Sequence, residues 1–265
     1  MTATSGAGGA PARSVTQREA VGETLTGGEA SILDLVRGFG VTVGPSFVLD
    51  VAGGTAVASM LRALARRRRP SLGAALGTAL VAAYVAAIRP WMLRWGATSE
   101  ETRKVLSGDE LVANPGSQTT RAVTVDAPVE AVWPWLAQVG QDRAGFYSYE
   151  WLENLAGCQM HNANHVRPEW QERPIGETVY LHRLYGLPVA RFERNRVLAL
   201  KNWGAFVVEP LGGERTRLVA RGRTARGPAM LFYVLLIELP HFVMERKMLL
   251  GIKRRAERAF AGKAR

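Results

Sequence analysis

Thr120-Arg-Ala-Val-Thr-Val125 runs directly into Asp126-Ala-Pro128, and Val129, Val132, Trp133 and Leu136 follow. The first six residues alternate, so one face of an extended strand is apolar. The next set falls at i, i+3, i+4 and i+7, the stripe of an amphipathic helix. Asp126 is placed to cap that helix, with Pro128 in its first turn. Pro134 should kink or shorten it, because proline lacks the N–H of the helical ladder. A strand feeding a helix opens a small α+β domain near Thr119.

Downstream the pattern keeps to that plan. Ser148 is placed to cap a short helix over 149–156 that Gly157 ends. After Gly176 the period returns to two, with strands expected over 177–181, 189–193, 197–202, 205–210 and 216–223. Gly212-Gly213 marks the hairpin turn before the last of these. Pro240 opens a long helix over 240–261, with Phe242, Leu249, Ile252, Ala256 and Phe260 along one side and basic residues opposite. The apolar side needs a partner, and an antiparallel sheet is the available one.

Upstream the composition changes. Residues 1–29 are rich in Gly, Ala, Ser and Thr and read as a disordered tail. Residues 30–95 read as a helical, membrane-spanning segment. An apolar stretch over 41–64 is broken by Asp50 and Arg62, and 72–88 is 17 residues without a charge, continuing to Leu93. A spanning helix needs about 20 mostly apolar residues. Gly73 and Gly77, with alanines at 75, 79, 83 and 87, allow close helix packing, and Tyr84, Trp91 and Trp95 suit an interface. An ordinary soluble helical hairpin is the alternative. Residues 96–118 read as a connector with a short helix capped by Thr98 or Ser99, and 119–262 as the globular domain. Arg66–Arg69 should face the cytoplasm if both segments span, but Arg89, Arg94, Arg103 and Lys104 blur the asymmetry, so the side holding the domain stays open.

The net charge is +11. The excess sits at Arg66–Arg69 and along the C-terminal helix, beside apolar segments, with no base-reading module. This favours a membrane surface over nucleic acid. A single cysteine, Cys158, excludes an internal disulfide. No glycine fingerprint of a nucleotide site is present, and no cofactor is expected. Ala229–Ile237 is apolar but too short to span a bilayer.

The run Gly140-Gln-Asp-Arg-Ala-Gly-Phe-Tyr-Ser-Tyr-Glu-Trp-Leu-Glu-Asn-Leu155, with His161-Asn162 and Pro168-Glu169-Trp170-Gln171, is dense in aromatics and hydrogen-bonding groups. It is either a polar pocket lining or a tightly knit corner. Trp133, Phe146, Tyr147, Tyr149, Trp151, Asn154, His161, Asn162 and Trp170 are the candidates to contact a ligand, although half or more of the aromatics should be core. Glu150, His161 and Glu169 are candidate acid–base groups, with a structural charge network as the competing reading. His161 and His165 lack an evident third ligand, so no metal is expected.

Residues 97–260 resemble the START-like, polyketide-cyclase/dehydrase-like superfamily known as SRPBCC, in a bacterial branch with a membrane-proximal segment before the domain. The resemblance rests on Arg89–Thr98, Gly108–Leu111, Asp126–Pro128, Val132–Leu136, Gly140–Leu155, His161–Ala163, Pro168–Gln171, Glu209–Leu211, Thr216–Leu218 and Val243–Leu250. It implies a helix-grip fold, a curved antiparallel sheet around the long C-terminal helix, here preceded by one or two transmembrane helices. It implies an internal cavity for a lipid or other apolar small molecule. The expected function is therefore membrane-associated binding of such a ligand, with a cyclase/dehydratase-type enzyme as the alternative. Fold alone does not decide between them.

Overall fold

The computed structural model describes residues 55–64, 66, 71–227, 230 and 233–263. The expected tail, the apolar residues before Thr55 and Arg67–Arg69 lie outside these. The chain divides after residue 41, and every described residue belongs to the second unit.

The unit begins with helix α1, Thr55–Leu64. Helix α2, Leu72–Ala83, runs through a π-helical turn at Tyr84–Ile88 into α3, Arg89–Leu93. Together they make one helix of 22 residues, long and apolar enough to cross a membrane. Ser71 caps its start by accepting from the Ala74 N–H. A side chain at Gly77 would meet the Ala56 Cβ at 2.4 Å, so α1 and α2 touch there, while Gly73 faces open space.

After a short helix α4, Ser99–Arg103, comes a six-stranded antiparallel sheet: β1 Pro115–Val125, β2 Thr178–His182, β3 Tyr185–Glu193, β4 Val197–Leu200, β5 Gly204–Gly212 and β6 Arg215–Ala225. Their spatial order is β1-β6-β5-β4-β3-β2. Helices α5, Val129–Ala137, and α6, Glu150–Leu155, fill the connection between β1 and β2, and α7, Glu238–Lys263, closes the chain. This is α+β architecture in the helix-grip arrangement.

Alternation sorts the sheet into two faces. Val123, Val125, Leu198, Phe206, Val208 and Leu218 join Val132 and Leu136 of α5 and Leu249, Ile252 and Ala256 of α7 in one buried cluster. Each of these Val, Leu, Ile and Phe side chains contributes about 1.5–3 kcal/mol on burial. Gly251 lets α7 approach closely, since a Cβ there would stand 2.4 Å from the Tyr147 carbonyl oxygen.

The opposite face of the sheet is also covered. Ala122, Val197, Ala199, Ala205, Val207 and Val219 pack against Leu106, Ala97 and Leu111 from the stretch expected as a connector. Arg221 and Arg223 both reach Asp109, at 3.0 and 3.1 Å, and Arg217 holds Glu101 through two contacts of 2.6 and 2.8 Å. Burial, the largest influence on Glu101, pushes its pKa up, but the Arg217 and Thr98 hydrogen bonds prevail and hold it below the usual carboxylate value.

Several ends differ from expectation. Thr98, one of the two expected caps, caps α4 and forms a capping box with Glu101. Helix α5 begins instead after Pro128, and the Asp126 N–H donates to Glu257 Oε1 at 2.9 Å. Helix α6 starts after Tyr149, because Ser148 Oγ donates to Glu153 Oε1 at 2.6 Å rather than capping. Pro134 lies inside α5, which ends three residues later.

Candidate functional site

The run 140–171 folds back on itself. Gly140 and Gly145 form an isolated antiparallel bridge. Tyr147 adopts a φ of 56°, and its N–H donates to Asn162 Oδ1 at 2.6 Å. The Asn162 N–H donates to Glu150 Oε2, while Glu150 Oε1 meets His161 Nδ1, both at 3.1 Å. Asn154 closes the loop by pairing with both the N–H and the carbonyl of Met160. Gln138 Nε2 donates to the Tyr147 hydroxyl at 2.8 Å, and its Oε1 accepts from the Arg167 N–H at 3.1 Å. Arg143 and Arg173 share Glu177 Oε1, at 2.7 and 2.9 Å. Burial, with the neighbouring Arg143 charge, brings the Arg173 pKa down to about 10 against the pull of Glu177. Most of the polar side chains here are spent on their neighbours.

The sequence candidates are accordingly spread out. Trp133 is buried against Phe192 with ring centres 5.3 Å apart, and its indole N–H has no partner among the described residues. Phe146 is half-buried against the main core. Tyr147 is buried beneath Arg255, and burial pushes its hydroxyl pKa up. Tyr149 lies under Lys247, and Trp170 is stacked by Arg167. Trp151 is 69% exposed. Glu150, His161, Asn162 and Tyr147 come together, but the His161 side chain stands in solvent. Glu169 lies apart, on the surface with Arg167. No group of three His, Cys, Asp or Glu able to hold a metal occurs among the described residues.

A different set of polar groups is buried where α3 meets the sheet and the first turns of α7. Arg121 shares the inward face of β1 with Val123 and Val125. Its Nε donates to the Met92 carbonyl at 2.9 Å, its Nη1 pairs with Glu245 Oε2, and its guanidinium lies 5.2 Å from the Phe242 ring centre. Arg121 and Glu245 keep 0% and 2% of their side-chain surface. One helical turn before Glu245, His241 places Nε2 3.8 Å from Glu245 Oε1 and Nδ1 2.7 Å from the Tyr233 hydroxyl. Arg89 of α3 holds Glu238 through two contacts of 2.7 and 2.9 Å. The Trp203 ring stands 6.3 Å from His241 and 4.7 Å from Phe206.

The electrostatics of this cluster balance. Burial holds the His241 pKa below its usual value, more than Glu245 raises it, and burial pushes the Tyr233 hydroxyl up. Both are uncharged at neutral pH, leaving two arginines facing two glutamates. His241 Nδ1 and the Tyr233 hydroxyl share one hydrogen bond, whose direction follows the imidazole tautomer. Among the described residues, two buried atoms of this cluster, Arg121 Nη2 and Glu245 Oε1, make no hydrogen bond. The sequence carried a signal for this site. In Thr120–Val125 the alternation that puts Val123 and Val125 inward puts Arg121 there too, and an inward charge requires a partner.

A separate cleft of about 550 Å³ lies on the outer side of the sheet, between Lys104–Ser107, Arg194–Val197 and Val207–Pro210. Its cations are matched: Lys104 pairs with Glu209 at 2.8 Å and Arg196 with Glu193 at 3.2 Å.

No family model matches this chain, and neither does any curated protein. Among solved structures, the chain is similar to a Polyketide_cyc-like protein of Corynebacterium glutamicum, determined by NMR. Identity is 15% over 52% of this chain and 89% of that one, with a TM-score of 0.28. No residue role carries over at that distance.

Proposed function

We propose that this is a membrane-anchored helix-grip protein, of the START-like polyketide-cyclase-like kind, that binds an apolar small molecule or lipid. The observation that carries the reading is the junction. Helix Leu72–Leu93 ends directly on the buried polar cluster, through Met92 and Arg121 and through Arg89 and Glu238, with no linker between. At 1.5 Å per residue the helix is about 33 Å long, close to the ~30 Å hydrocarbon core of a bilayer. Leu72 and Leu80 are 76% and 70% exposed, which in water leaves a large apolar surface uncovered. A bilayer would cover it, and the site would then lie at the membrane surface, where an apolar ligand is already concentrated.

A second reading is an enzyme acting on such a ligand. Glu245, His241 and Tyr233 line up as carboxylate, imidazole and hydroxyl, an order suited to general acid–base chemistry. Glu150 and His161 form a comparable pair at the protein surface.

The test uses full-length protein expressed in a host membrane. After an alkaline carbonate wash the protein should stay in the membrane pellet. Organic-solvent extraction of the purified protein should release one apolar compound in near-stoichiometric amount. Release into the wash, or a purified protein with no extractable compound, would overturn the reading.

A further inference from the structure

We infer, resting on the membrane-anchored reading above, that Arg94, Arg246 and Lys247 form a docking surface for the headgroups of anionic lipids. The first observation is depth. In chain order, Arg89 meets Glu238, the Trp91 ring meets Phe242 at 5.3 Å, and the Arg246 guanidinium lies 4.9 Å from the Trp95 ring centre. The apolar helix and α7 therefore advance side by side in the same direction. Arg246 stands level with the point where the chain leaves the hydrocarbon. Arg94, the first residue past the apolar helix, is exposed at the same level. Tryptophan is enriched at that depth, and here Trp91 is 52% exposed and Trp95 half-buried.

The second observation is charge that the domain leaves unanswered. Among the described residues, the side chains of Arg94, Arg246 and Lys247 make no ion pair or hydrogen bond. Other cations of the two helices are spent, Arg89 on Glu238 and Lys253 on Glu257 at 2.8 Å. Glu150, next to Tyr149, is taken by His161 and the Asn162 N–H. Arg246 and Lys247 are braced on rings instead, Arg246 over Trp95 and Lys247 over Tyr149, both at 4.9 Å. A ring fixes a cation in place without cancelling its charge. The guanidinium keeps its N–H fork for phosphate oxygens, and the ammonium adds a point charge.

The third observation is what flanks the cations. Helix α6 begins directly after Tyr149, and its Trp151 and Leu155 are 69% and 67% exposed. Four residues apart, they share one helix face as an apolar ridge. A lipid answers both features, with phosphate for the cations and upper acyl chain for the ridge. A phosphatidylcholine head carries its own ammonium and gains little, whereas a head of net negative charge gains about fivefold per basic residue near the surface. The other exposed arginines of α7 are too far out to take part. Arg254 and Arg258 lie about 12 and 18 Å beyond Arg246 along the helix, past the ~10 Å Debye length at 0.1 M salt.

The experiment measures radiolabelled dioleoyl-phosphatidylglycerol and dioleoyl-phosphatidylcholine retained by the full-length protein, purified from non-ionic detergent micelles holding equal amounts of both. Wild type should retain phosphatidylglycerol at least ~10-fold over phosphatidylcholine in 0.1 M salt, since three cations contribute about fivefold each. The preference should vanish in 1 M salt, where the Debye length is ~3 Å. Arg246→Gln with Lys247→Gln should cut the ratio at least ~5-fold. Arg254→Gln with Arg258→Gln removes the same charge farther out and should change it less than ~2-fold. Near-UV circular dichroism reports whether each variant is folded, and if one is not, the wild-type ratio and its salt dependence decide. Equal losses in the two double variants would mean that net charge alone attracts the lipid and would overturn the inference. So would a wild type with no preference, or a preference that survives 1 M salt. Those results leave the anchored reading standing, whereas release of the protein from carbonate-washed membranes removes that reading and this inference together.

Discussion

Removing one member of the Arg121–Glu245 pair should cost far more than removing both. Arg121 is fully buried, and its Nε supports the Met92 carbonyl at the end of the apolar helix. Arg121→Met strands the Glu245 carboxylate, leaving it His241 at 3.8 Å. Breaking a buried pair in this way costs about 3–5 kcal/mol. The lost bond to Met92 adds about 1 kcal/mol. Glu245→Leu strands the guanidinium and should cost a similar 3–5 kcal/mol. The double variant strands neither charge. Replacing a buried pair by apolar side chains of similar volume is often neutral or stabilising by about 1–4 kcal/mol, so the double variant should lie near wild type. The coupling between the two sites would then be roughly 6–10 kcal/mol, well above the ~0.5–3 kcal/mol usual for residues in contact. Urea unfolding of the full chain in a fixed detergent, followed by tryptophan near-UV circular dichroism, measures all four corners of the cycle. Single variants that each cost under ~1 kcal/mol and add in the double would refute a desolvated pair, since that is the behaviour of surface ion pairs.

Three other outcomes follow from particular contacts. Glu153 is raised above its ordinary value of 4.5, first by burial and then by the Glu150 charge, against the Ser148 hydrogen bond. The folded protein therefore binds this proton more tightly than the unfolded chain, and stability falls as pH rises from 4.5 through the folded-state value. Glu153→Gln should raise the melting temperature at neutral pH and change it little in acid, as thermal melts across that window will show. Gly251→Ala sets a Cβ 2.4 Å from the Tyr147 carbonyl oxygen and 2.8 Å from its Cβ, so α7 must shift. Overpacking of this kind costs roughly 1–3 kcal/mol in denaturant unfolding. Leu80→Arg puts a charge on the exposed face of the apolar helix. In a bilayer that penalises insertion by about 3 kcal/mol and should lower the carbonate-resistant fraction, whereas an ordinary exposed surface would tolerate it.

The strands and the terminal helix were legible in the sequence because their periods are local. The alternation after Gly176 places each of the five later strands within a few residues of its observed bounds, and the stripe through Leu249, Ile252 and Ala256 is the buried side of α7. Helix starts were less legible, because a capping side chain can be drawn away. Ser148 turns to Glu153, and the Asp126 backbone is met by Glu257, 131 residues later. The polar run at 140–171 offered two readings, and choosing between them depends on pairings such as Asn162 with Tyr147 and Gln138 with Arg167, which no period reveals. Glu245 is 124 residues from Arg121 in sequence. Only the inward register of Arg121 hinted that some distant carboxylate must meet it.

A crystal structure of the full-length protein grown in a lipidic phase would decide whether it is a membrane-anchored binder of an apolar molecule. Helix Leu72–Leu93 should cross the lipid layer, and elongated apolar density should lie within the domain at its foot. A helix lying outside the lipid, or a domain holding no such density, would contradict that reading.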